Sequence, residues 1–227
     1  MPPTEAELAS QTLSEEGLYR FSSFSASDAV TLGLSLRKRF RASARHIKGK
    51  GLVISIQTIV GHILFACTVG DLGGTSGIGD VSLDSWACLE GMIDTVKRTG
   101  HSSFYVEKGM NAMGKTPQQM GLQGESFRVN GGAFPVWMEN APCCPIAVVA
   151  CYSGSSQEDH VLVSSTIRDY LAKLKRNSQS QTPAPTLPEQ PVPMPHRRGS
   201  GEWLPDPPGP SAFEQRPESP FDHREEH

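Results

Sequence analysis

The sequence predicts an α+β fold: one antiparallel sheet with helices packed on it, followed by a disordered proline-rich C-terminal tail. Three observations carry this. Two pairs of apolar, β-branched runs are each joined by a short link, and tight links imply antiparallel pairing. Stretches with helical spacing precede, separate and follow those pairs, which is the order expected of helices laid on one sheet. Composition then changes sharply near Asn177, after which lie twelve of the eighteen prolines and few aliphatic residues.

The first 20 residues, beginning "MPPTEAELAS", are polar and acidic and are expected to be a flexible segment. The folded body is expected over residues 21–176. Its first helix is "SASDAVTLGLSLRKRF", with Ser25 or Ser27 as cap, Asp28 near the start, and Leu32, Leu36 and Phe40 every four residues. "GLVISIQTIVGHILFACTV" reads as two strands turning at Gly61. "TVGDLGGTSGIGDVSLDS" reads as a loop with five glycines. A helix beginning near Asp84 places Trp86, Leu89, Ile93 and Val96 on one face, and "FYVEKGMNAMG" continues as a second helix.

"FRVNGGAFPVWM" and "PIAVVACYSG" are the second strand pair, separated by "ENAPCC". Pro135 lacks the N–H a ladder needs, so the strand is expected to be irregular or at an edge there. The last helix opens at Ser155 or Ser156. Glu158 and Asp159 suit its positive end, and Val163, Ile167, Tyr170, Leu171 and Leu174 form its apolar stripe. Residues 177–227 hold eight acids against four bases and too little apolar surface to offset ordering, so they are expected as a disordered tail. P-x-x-P spacing in "PTLPEQPVPMP" makes that tail a candidate docking peptide for a protein partner.

Bulk properties exclude several classes. A formal net charge of −3 gives no electrostatic footprint for nucleic acid. No apolar run approaches the roughly 20 residues of a membrane span, and no secretory leader is evident, so a cytoplasmic protein is expected. Five cysteines without a C-x-x-C spacing suggest reduced thiols rather than a disulfide framework or a zinc ribbon.

Candidate chemistry is sparse. Neither "DLGGTSGIGD" nor "NGGAFPVW" leads into the basic helix start that a phosphate loop needs. Ser153, His101 and Asp159 are residue types that could assemble a nucleophile, base and acid, although no G-x-S-x-G elbow is present. His62, His101 and His160 form no spaced metal-binding pair, but a single axial histidine is enough for haem.

Read together, "GHSSFYV", "NGGAFPV" and "AVVACYSGSSQEDHVLVSSTIRDYL" resemble the GlcG/HbpS/PduO-C-terminal-like superfamily, closest to its "heme-degrading domain" branch with bacterial and fungal members. The resemblance rests on Trp86, Gly100–Tyr105, Gly131–Pro135, Ser153–Gly154 and Asp159–His160, in that order. Asn130 stands where the pattern usually has His, and the basic residues that usually follow the tryptophan are missing from "WACLEGMID". The resemblance implies a profilin-like fold, a homo-oligomer, and a pocket for a tetrapyrrole or another small ligand in place of established catalytic residues. Pocket candidates are His101, Ser102, Gly131, Gly132, Phe134, Pro135, Ser153, Asp159 and His160. The resemblance also leaves room for an adaptor, since a fungal branch is tied to delivery of tail-anchored membrane proteins, or for an accessory enzyme.

Overall fold

The computed structural model describes residues 2–70, 81–122, 124 and 126–180. Most of the expected glycine loop and all of the tail beyond Ser180 lie outside the described residues. A five-stranded sheet forms the centre, in the order β1-β4-β5-β2-β3. The strands are β1 (Arg20–Phe21), β2 (Leu52–Thr58), β3 (Ile63–Val69), β4 (Ala133–Met138) and β5 (Ala147–Tyr152). All neighbours pair antiparallel except β1 with β4.

Helices cover both faces. Helices α2 (Ala26–Arg41) and α6 (Ser156–Ser180) lie on one, with α4 (Leu83–Thr99) on the other, and the short α3 (Ala44–Ile47) follows α2. On the first face Leu32, Leu36 and Phe40 meet Ile54, Ile56, Phe134 and Val149, together with Val163 and Ile167 of α6. On the second, Leu89, Met92, Ile93 and Val96 meet Val53, Ala133, Val148 and Ala150. Alternate residues of β2, β4 and β5 therefore enter different cores, so β5 and the first half of β2 read as continuous apolar runs. Ser25 caps α2 in a reciprocal box with Asp28, and Gly61 turns the β2–β3 link at φ +99°.

Pro135 is accommodated as its chemistry requires. Cys151 N–H donates to Gly132 O, and the alternation of an antiparallel pair then turns the Pro135 nitrogen away from β5. On that other side β1 reaches only Trp137 and Met138, so no ladder bond is missing.

The N-terminal segment differs from expectation. In place of a flexible stretch over residues 1–20, the chain forms α1 (Glu5–Leu18), capped by Thr4 in a reciprocal box with Glu7. Helix α1 lies on α5 (Ser103–Met113) and buries Ala9, Thr12 and Glu16. Two of those three side chains are polar, which is why hydrophobic periodicity did not mark the helix. Helix α6 also runs four residues past the expected boundary at residue 176, to Ser180.

Candidate functional site

His101 sits at the sharp joint between α4 and α5. Gly100 ends α4 in the left-handed region at φ +74°, and the Ser102 hydroxyl caps α5 by accepting from Tyr105 N–H at 3.2 Å. That joint faces α1. Glu16, only 3% exposed, accepts from the Ser102 N–H at 2.8 Å and lies 2.9 Å from His101 Nδ1. The hydrogen bond to this carboxylate raises the His101 pKa, against a smaller opposing effect of burial. A carboxylate on Nδ1 fixes the proton there and leaves Nε2 as the free donor atom of a half-exposed ring. The Tyr105 ring lies 4.8 Å away.

His160 is the opposite case. It lies in the first turn of α6, 5% exposed, with its ring stacked on Phe104 at 4.4 Å and 13°. Burial pushes its pKa down to about 4, so it is neutral at physiological pH. Its Nδ1 is buried without a hydrogen-bond partner, and its Nε2 stands 3.9 Å from Glu15 Oε2. With the imidazole neutral, that approach is not an ion pair, and 3.9 Å exceeds a hydrogen bond. The ring borders a cavity of about 300 Å³ between α1 and α6.

Gly131, Gly132, Phe134 and Pro135 belong to the packing of the domain itself. Gly131 N–H donates to Ser156 Oγ at 2.7 Å and Glu107 Oε2 at 3.0 Å, and a Cβ there would collide with Phe104 and the Ser156 carbonyl. Gly132 has φ +135°, and a Cβ would collide with the Cys151 carbonyl. Phe134 is wholly buried, between Tyr19 at 6.0 Å and His160 at 6.1 Å. These glycines admit the chain's own atoms. Asn130, beside them, is exposed.

Ser153 and Asp159 meet, but as a helix-start lock. Asp159 is fully buried and accepts from Ser153 N–H at 2.7 Å, Ser153 Oγ at 2.6 Å and Arg45 Nη1 at 2.6 Å. Burial pushes its carboxyl up, while Ser153 and then Arg45 work against that rise. His101 is bound to Glu16 instead, so the structure does not assemble Ser153, His101 and Asp159 into a nucleophile–base–acid set. Among the described residues no cluster of three or more His, Cys, Asp or Glu side chains is placed to hold a metal.

The candidates therefore fall into three places: His101–Ser102 under α1, His160–Phe134 behind Phe104, and Ser153–Asp159 at the start of α6. Glu15, Glu16, Phe104 and Arg45 organise these places and were not singled out from sequence. A T-x-x-E capping signal at Thr4–Glu7 was the one available sign that α1 exists to deliver the two glutamates.

The residues fit haem in part. His101 would supply the imidazole for haem iron, its Nδ1 held by the Glu16 carboxylate on a half-exposed ring. The expected wall of Gly131, Gly132, Phe134 and Pro135 is turned into the core and makes no slot for a macrocycle. Haem would thus be held by His101 at an open face.

Residues 24–168 match the family model described as haem degrading protein HbpS-like. No curated protein matches the chain in sequence. Among solved structures, the Ybr137w protein is similar at 24% identity and TM-score 0.62, over 73% of this chain and 89% of that one. A Streptomyces reticuli HbpS double mutant gives 14% identity and TM-score 0.43, over 68% and 89%. A PduOC–haem complex gives 16% and 0.47, over 64% and 94%. The family model covers well over half of the chain, from the start of α2 to the middle of α6, and with it every candidate residue named above: the chain belongs to the HbpS-like haem-degrading-protein family.

Proposed function

We propose that this protein is a non-enzymatic, self-associating binding module for a tetrapyrrole or another small ligand that is held through His101. The observation that carries the reading is the Glu16–His101 pair, which fixes the imidazole by Nδ1 and leaves Nε2 for a ligand on a half-exposed ring. The family match supports a ligand-binding role. The separation of His101 from Ser153 and Asp159 favours binding over catalysis.

Self-association is supported by the sheet edge. Among the described residues strand β3 is one of the two outer strands, carries no charged side chain, and exposes Ile63. Uncharged edges of this length invite pairing with a second chain. The exposed free thiols Cys143 and Cys144 favour a reducing, cytoplasmic compartment. No described helix is long and apolar enough to cross a membrane.

The test is titration of haemin into the purified full-length protein. A saturable Soret shift that His101→Ala loses supports tetrapyrrole binding. No saturable shift, or an identical one in the variant, overturns it. A second reading, an adaptor whose tail (residues 177–227) docks a partner while the body (21–176) associates, is favoured by the P-x-x-P spacing. A pull-down comparing the full chain with residues 1–180 separates the two, since a tail-dependent partner disappears with the tail.

A further inference from the structure

We propose that the cavity between α1 and α6 is a separate ligand site, for a compact uncharged molecule whose hydroxyl group bridges His160 and Glu15. Half of this site comes from residues that precede the matched family region. Helix α1 precedes the matched region, which begins at residue 24, and it supplies Glu15 together with Leu8, Gln11 and Thr12. Helix α6 supplies His160, Val161 and Ser164. The volume of about 300 Å³ is at the small end of ligand pockets, which limits the occupant to a compact molecule.

The imidazole sets the chemistry. A neutral ring has one N–H and one bare nitrogen. Burying an unpartnered N–H costs more than burying an unpartnered acceptor, so the enclosed Nδ1 is the bare nitrogen and Nε2 carries the proton. Nε2–H then faces the Glu15 carboxylate across 3.9 Å, a donor opposite an acceptor with a gap too wide for a direct bond. One atom placed beside both must accept from the imidazole and donate to the carboxylate, and a hydroxyl does both. An anion would meet Glu15 with like charge. An ammonium would leave Nε2–H facing a donor. Phe104, stacked on the ring, and Ser103 and Ser102 at the start of α5 hold the wall in place. The rest of the lining mixes apolar and hydrogen-bonding side chains with one cation, Arg168, whose Nε is held by Asp169 at 3.1 Å.

Helix α1 is suited to be a removable cover. Its buried side chains are Ala9, Thr12 and Glu16, and it is fastened at its ends by Glu5 to Lys108 at 3.2 Å and by Glu16 to His101 at 2.9 Å. So little buried apolar surface makes local opening inexpensive compared with global unfolding.

The experiment uses full-length protein labelled with ¹⁵N at histidine. Long-range ¹H–¹⁵N spectra read the His160 tautomer directly, and phenol is titrated against toluene, its near-isostere without the hydroxyl. The expected result is the Nε2–H tautomer, a saturable shift of His160 with phenol, and at least tenfold weaker binding of toluene. Glu15→Gln is expected to weaken phenol about tenfold. His160→Phe, which keeps the stack on Phe104, is expected to abolish the preference for phenol. A proton on Nδ1, no saturable shift, or equal response to phenol and toluene would overturn the proposal by leaving the gap to water alone. Equal phenol binding by Glu15→Gln would do the same. The readout is the His160 signal itself and not a haemin spectrum, so failure here leaves the haemin result standing, and the reverse.

Discussion

The burial of His160 gives the sharpest quantitative prediction. Lowering the pH asks a neutral, largely buried imidazole to accept a proton. Its folded pKa is about 4, against about 6.5 for an unperturbed histidine. A depressed histidine pKa means that the unfolded chain binds more protons between those values. Stability is therefore full above pH 6.5, falls as the pH drops toward 4, and levels off below that. At pH 4.5 the loss from this one group works out at about 2–3 kcal/mol, levelling at about 3 kcal/mol at lower pH. The assay is urea unfolding of wild type and His160→Phe at pH 7.5, 6.0 and 4.5. Phenylalanine keeps a flat ring against Phe104 but has nothing to titrate. Carboxylates such as Asp28 and Asp169, whose pKa values are lowered by their partners, lose stability in acid equally in both proteins. The stability difference between the two proteins should move by about 2–3 kcal/mol from pH 7.5 to 4.5, with wild type losing more. Parallel acid profiles would refute the assignment of His160 as a buried neutral group.

Three further outcomes follow from the same structure. Arg45→Ala removes the cation 2.6 Å from the fully buried Asp159 and is expected to cost about 3–5 kcal/mol in chemical unfolding, whereas Arg45→Ala paired with Asp159→Asn should recover part of it. Gly132→Ala combines a left-handed backbone angle with a collision at the Cys151 carbonyl and should destabilise by more than about 2 kcal/mol in thermal or urea unfolding. Glu16→Gln should lower the His101 pKa toward its ordinary value in an NMR titration. Because that pKa is raised in the folded state, the Glu16–His101 bond stabilises the fold below pH 6.5 and is lost as the pH rises through the folded value.

The sequence made the sheet and its main helices legible because their signals are local. Leu32, Leu36 and Phe40 show one helical face, Gly61 shows a turn, and Pro135 shows a position where no ladder bond can run. The site was less legible because its organising contacts are distant in sequence. Glu16 reaches His101 across 85 residues, and Arg45 reaches Asp159 across 114. Helix α1 was missed for a related reason: its buried face carries Thr12 and Glu16, which no hydrophobic pattern records. The glycines of "NGGAFPV" were legible as a close-approach segment. Whether a ligand or the chain itself makes that approach is decided by Phe104, Ser156 and Cys151, and those contacts exist only in the fold.

Under the proposed function, the domain carries a small ligand through His101 as an assembly of copies. Native mass spectrometry of the full-length protein purified from its own host tests it most directly. The account predicts a homo-oligomer with a non-covalent small molecule on each subunit, lost in His101→Ala while the subunit number is kept. A ligand-free monomer, or a ligand retained unchanged by the variant, would contradict it.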